Sequence, residues 1–253
     1  MATTKEQQDV SPHASTDTPP FDLASFQLEQ AVLEIRYPLA LALWDKAGTL
    51  WQVIQEKWPE IKPVHAEPTR TAFQVGRNGL SVETQLARIT TVNPDRSLEE
   101  FSAMAKDFLR LTTQYLQVLL YKRIGMRLLY FKEFKDKNQA ASAFFSLGLV
   151  KIPDGKRFEI ENQPIDPQYV LRWESEKKGT LVQCRVETRK TDFDPPTALE
   201  SLIKPIHSEK SGIVFDVDYY NVSPVEPGQM DVVQWVRHGS HVIARDSKYI
   251  FGE

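Results

Sequence analysis

The sequence predicts an α+β protein of two similar halves, each an antiparallel sheet packed with helices, closed by a C-terminal helix. Three observations predict it. Apolar and polar residues alternate over short runs in both halves of the chain, the period of a half-buried strand. Turn signals separate several of these runs, "GRNG" at residues 76–79 and "SEKKG" at residues 175–179. The order hairpin, helix, strand runs from Ala72 to Phe131 and again from Tyr169 to Tyr220. The expected organisation is a disordered tail over 1–20, a first half over 21–135, and a second half with the C-terminal helix over 136–253. The repeat is one of element order, because residue identity between the halves is poor.

The first 20 residues are polar and carry Pro12, Pro19 and Pro20, so they bury too little apolar area to offset the entropy of ordering. "AVLEIRY" is a strand stopped by Pro38. "DKAGTLWQVIQEKWP" places Leu50, Trp51, Ile54 and Trp58 at helical spacing before Pro59. In the hairpin that follows, Asn78-Gly79 is the strongest turn signal. The best helix starts at Ser97 and Glu100, read as a capping box, and carries an apolar stripe through Phe101, Met104, Phe108, Leu111 and Tyr115. The strand after it points Ile124, Met126, Leu128 and Tyr130 one way and Arg127, Leu129 and Phe131 the other.

In the second half, "DKNQAASAFFSLGL" is helical, "KRFEIENQ" alternates, and "YVLRWE" and "TLVQCRVET" flank the second turn. "PPTALESLIKPI" is a short helix opened by prolines. "SGIVFDVDYYN" is a strand with Ile213, Phe215, Val217 and Tyr219 on one face, and a last helix spans about Asp231 to Ile250.

Composition narrows the classes of function. Against 34 acidic residues stand 31 basic ones, a net charge of −3, whereas a dedicated nucleic-acid binder usually carries a basic excess. The single cysteine, Cys184, leaves no intrachain disulfide and no cysteine-rich zinc site, which fits a reducing compartment. The N-terminus has no apolar core of signal-peptide length and no run approaches a membrane span, so the cytoplasm is the expected location.

"QAVLEIRYPL", "FQVGRNGLSVET", "RIGMRLLYF" and "VFDVDYYN", followed by an amphipathic C-terminal helix, together resemble a patchily distributed bacterial family of uncharacterised α+β proteins. The resemblance covers roughly residues 28–250 and rests most on Glu34, Arg36 and Pro38 and on the Ile124-Gly125-Met126-Arg127 strand. After Arg127 this chain has "LLYF" where the family has a Tyr-Ile-Asn run. Membership implies an accessory or defence-type bacterial protein and implies no reaction.

The candidate sites are few. His238 and His241 share a helix face, but a zinc site needs a third or fourth ligand and no HExxH arrangement is present, so they read as histidines beside the buried stripe. Asp216 and Asp218 share one face of a strand, a carboxylate pair able to hold Mg²⁺ or move protons, or simply a solvated face paired with Arg185 and Glu187. Cys184 is in phase with Val182 and Val186 and so belongs to the core. Lys122, Arg123, Arg127, Lys132 and Lys135, interleaved with Tyr130 and Phe131, with Arg70, Arg77 and Arg88 on the hairpin, offer a basic sheet face.

The reading that follows is a non-catalytic protein that binds another protein or itself, with no cofactor and no membrane contact. Its anchors are whichever of Trp44, Trp51, Trp58 and Trp235 prove exposed. One alternative is a small-ligand binder or enzyme using a cleft between the halves with Arg36, Arg127 and Asp216 as its polar groups. The other is nucleic-acid binding through the basic face, Arg127, Tyr130 and Lys132 included.

Overall fold

The computed structural model describes residues 21–151, 159–160, 164–193 and 206–252. The predicted tail, most of "KRFEIENQ" and the helix predicted over residues 195–205 lie outside these.

Strand β1 (Gln27–Arg36) follows a short 3₁₀ turn capped by Asp22. Its Ala31, Leu33 and Ile35 are fully buried, and a bulge between Leu28 and Gln30 resets their phase. Helix α1 (Ala42–Lys57) buries Leu43, Leu50 and Ile54 and stops before Pro59, whose ring disfavours a helical conformation at Trp58. Strands β2 (Lys62–Glu67), β3 (Arg70–Val75), β4 (Asn78–Glu83) and β5 (Leu86–Val92) form a meander. The β3–β4 turn is Gly76-Arg77, two residues before the predicted Asn78-Gly79. Val75 faces Asn78 across it, and Gly76 takes a φ of 54° at the first central position, where a side chain is strained. Asn78 instead lies in the ladder and accepts a hydrogen bond from the Thr91 hydroxyl.

Helix α2 (Glu99–Leu116) buries Phe101, Ala105, Phe108, Leu109 and Leu111. Its predicted capping box does not form. Leu98 enters the helix at a φ of 55°, Ser97 Oγ reaches only the Glu99 N–H at 3.5 Å, and Glu100 turns out to Arg77 at 3.4 Å. The left-handed Leu98 carries its own side chain into the core, so packing overrides the cap. Strand β6 (Arg123–Phe134) is followed by α3 (Lys137–Ser146), whose N-cap Asp136 accepts from the Gln139 N–H. Strands β7 (Gln168–Glu174), β8 (Lys178–Phe193) and β9 (Ile206–Asn221) lead to α4 (Val232–Phe251), capped by Asp231 and ended by Gly252.

These nine strands make one antiparallel sheet in the order β2-β3-β4-β5-β1-β6-β9-β8-β7. The expectation of one sheet per half is therefore corrected, because β6 of the predicted first half pairs with β9 of the second from Gly125 to Phe134. The buried residues of all four helices join the inner side chains of the sheet in a single apolar cluster. Each large side chain fully withdrawn from water there, such as Leu33 or Phe108, contributes roughly 1.5–3 kcal/mol. Helix α4 approaches closely at Gly239, where a Cβ would lie 2.7 Å from Met126 Cε of β6 and 3.0 Å from Tyr219 Cδ1 of β9. The other sheet face carries three further buried rings and side chains, Phe131, Val214 and Tyr220, outside that cluster. Among the described residues no helix is long and apolar enough to cross a membrane.

Candidate functional site

Among the described residues two surfaces carry chemistry, the sheet face opposite the described helices and a groove at the β2 edge. On the sheet face, strand alternation sends Glu34 and Arg36 of β1, Arg88 of β5, Arg123 and Arg127 of β6, and Asp216 and Asp218 of β9 outward together. Cross-strand register then pairs them. Glu34 accepts from Arg36 Nε at 2.8 Å and from Arg88 Nε at 2.9 Å, with Arg123 Nη1 3.7 Å away. Arg123 donates to Asp218 at 2.5 Å and lies flat over the Tyr220 ring, 4.4 Å from its centroid. Arg127 forks onto Asp216, with Nε 2.7 Å from Oδ1, and Arg185 approaches the same carboxylate at 3.7 Å. Farther along, Arg189 donates to Glu187 and Glu29 and covers the Phe131 ring.

The carboxylates respond differently to this lattice. Burial pushes the Glu34 carboxyl up, but the hydrogen bonds and charges of Arg88 and Arg36 outweigh it and hold the group below its ordinary value. Asp218 goes the other way: burial raises its carboxyl, and Arg123 does not fully offset this. The Asp216 hydrogen bond raises Arg127 further. Glu34 is thus held by guanidinium donors as a fixed anion.

Over the β1–β6 seam the lattice encloses a shallow depression of about 310 Å³, lined by Arg36, Arg88, Arg123, Arg127, Glu34 and Asp218 around Val32 and Gly125. It brings Arg36 and Arg127 together, two of the residues singled out from the sequence, with Asp216 held on Arg127. Other expected members lie elsewhere. Tyr130 is buried on the opposite, core face, where its neighbour across β9 is Phe215, so it cannot stack a base beside Arg127. Lys132 reaches Ser25 Oγ at 2.9 Å and sits 4.5 Å from the Phe21 ring centroid on the core side. Trp235 is half-buried against Tyr219, with ring centroids 5.2 Å apart. His238 and His241 are exposed on α4, and His238 Nε2 lies 3.0 Å from Lys178 Nζ, a cation rather than a metal ligand. Among the described residues no three His, Cys, Asp or Glu side chains are placed to hold a metal ion. Cys184 is buried, and burial pushes its thiol up to about 12.

The second surface was not anticipated as a unit. Trp44, Ala47, Gly48 and Trp51 of α1 face Pro63, Ala66, Thr71 and Phe73 of β2 and β3 across an apolar groove of about 480 Å³. Trp51 stacks on Phe73 at 5.1 Å, while Trp44 stays 57% exposed, with Leu41, Leu39 and Val64 exposed as well. Thr71 is only 5% exposed, and its Oγ1 has no hydrogen-bond partner. Nothing approaches within 4 Å of the position a Cβ would take on Gly48. A glycine inside the helical run "DKAGTLWQVIQEKWP" was the available signal, since it weakens the helix without a local reason.

No protein-family model matches this sequence, and no curated protein is similar to it at a significant level.

Proposed function

We propose that the chain is a non-catalytic binding protein whose α1–β2 groove docks a segment of another protein. The observation that carries this is the groove itself. Trp44 is left exposed beside a buried hydroxyl with no partner, and beside a mid-helix glycine whose Cβ position is open. The walls of Trp44, Trp51 and Phe73 suit an aliphatic or aromatic side chain. Thr71 supplies one hydrogen bond, and Gly48 lets a backbone come close. Pro63 and the bulge beside it interrupt the outer edge of β2, which favours a segment lying in the groove over a strand added to the sheet. The acid and base groups on the sheet face are engaged in ion pairs, which supports binding rather than catalysis.

The two-half organisation belongs to the same reading. With the division at residue 135, the first half holds α1, α2 and the neighbouring strands β2-β3-β4-β5-β1-β6, and the second holds α3, α4 and the neighbouring strands β9-β8-β7. A cytoplasmic accessory role in a bacterium, as in the family the sequence resembles, is the setting we propose for it.

The test compares the tagged full chain with Trp44→Ala in capture from native lysate, with and without nuclease. A stoichiometric protein that survives nuclease and is lost with Trp44→Ala is expected. A protein retained equally by both chains, or a signal abolished by nuclease, overturns the proposal. Because Trp44 is exposed, an unchanged circular dichroism spectrum should accompany the loss.

A further inference from the structure

We propose that the depression over the β1–β6 seam binds a small molecule through a compact oxyanion, such as a phosphoryl group. The charge count points there. Four guanidiniums, of Arg36, Arg88, Arg123 and Arg127, line it against two carboxylates, Glu34 and Asp218, and a third, Asp216, is held on Arg127, leaving a local surplus of one positive charge in a chain of net charge −3. A small isolated surplus over the central strands suits one compact oxyanion rather than a general attraction for polyanions.

Geometry makes the surplus usable. Arg36 engages Glu34 through Nε alone, while Arg88 and Arg127 each spend Nε and Nη2 on their carboxylates. Unspent Nη donors therefore remain on three guanidiniums whose planes are already fixed by their anchoring bonds. Donors held in place lose little freedom when a ligand arrives, and planar forks suit tetrahedral and carboxylate oxygens. Gly125 forms part of the floor, and a Cβ there would lie 3.0 Å from Arg123 Nη1, so glycine lets that guanidinium lie down against the strand. The two rings of this face are already covered, Tyr220 by Arg123 and Phe131 by Arg189. Among the described residues no platform is left for stacking bases, which separates this site from a nucleic-acid track.

The experiment is isothermal titration of the full chain at low salt with inorganic pyrophosphate, a small phosphomonoester, a single-stranded oligonucleotide and anionic phospholipid vesicles. Saturable one-to-one binding of pyrophosphate or the phosphomonoester is expected. It should weaken about tenfold or more in Arg88→Gln and in Arg36→Gln, each of which removes donors to a charged group. Arg70→Gln, paired with Glu83 outside the depression, should bind as the unaltered chain does. Absence of saturable binding overturns the proposal, as does equal affinity in the Arg88 and Arg36 variants. So does binding of the oligonucleotide or vesicles that is tighter per site than that of the free phosphates.

Discussion

Cys184 shows how far single residues were legible. Its alternation with Val182 and Val186 places it on the inner face of β8, and there it is fully buried between β7 and β9. A thiol pushed up to about 12 carries almost no thiolate near neutral pH. We expect a colorimetric thiol reagent to leave the native chain unmodified at pH 8 and to label one thiol after denaturation. Rapid labelling of the native chain would place Cys184 at an accessible surface. Glu34 and Asp218 mark the opposite case. Both sit beside Arg123, yet one carboxyl is lowered and the other raised, because two guanidiniums bond Glu34 directly and one bonds Asp218. Arg88 and Arg123 come from strands far in the chain from the carboxylates they bond, so no local pattern announces the difference.

At the scale of the element, periodicity located the helices and strands well, while their ends answered to packing. The cap at Asp231 follows from its short acceptor before an apolar run, whereas Ser97 and Glu100 have the right spacing and do not close. Leu98 gains more by entering the core than the box would by satisfying two N–H groups. In α1, Gly48 is costly to the helix and meets nothing in this chain. Gly48→Ala should therefore stabilise the protein by about 1 kcal/mol, a rise of about 2–4 °C in Tm by calorimetry. The same change should reduce capture of the partner in the groove. A variant that is stabilised but binds as before would mean that Gly48 does not face the partner.

At the scale of the molecule, the seam at which β6 pairs with β9 merges what the sequence presents as two units into one sheet above one apolar cluster. Cooperative unfolding follows from a core that neither part can keep alone. We expect a single thermal transition, with calorimetric and van't Hoff enthalpies equal, and the same midpoint by fluorescence of the tryptophans and by far-ultraviolet circular dichroism. Two resolved transitions would mean that the parts on either side of the seam fold independently.

The sequence by itself determined the α+β class, the inward faces of β3, β4, β6, β8 and β9 and the burial of Cys184, because these depend on local period and on how apolar side chains partition from water. It also brought forward Arg36, Arg127 and Asp216 as polar residues of interest. Strand order, the counterparts of those charges and the groove between α1 and β2 were decided only by tertiary structure. Each joins residues distant in the chain, and which of several possible cross-strand pairings forms is set by competition among whole arrangements of the core, not by any one segment.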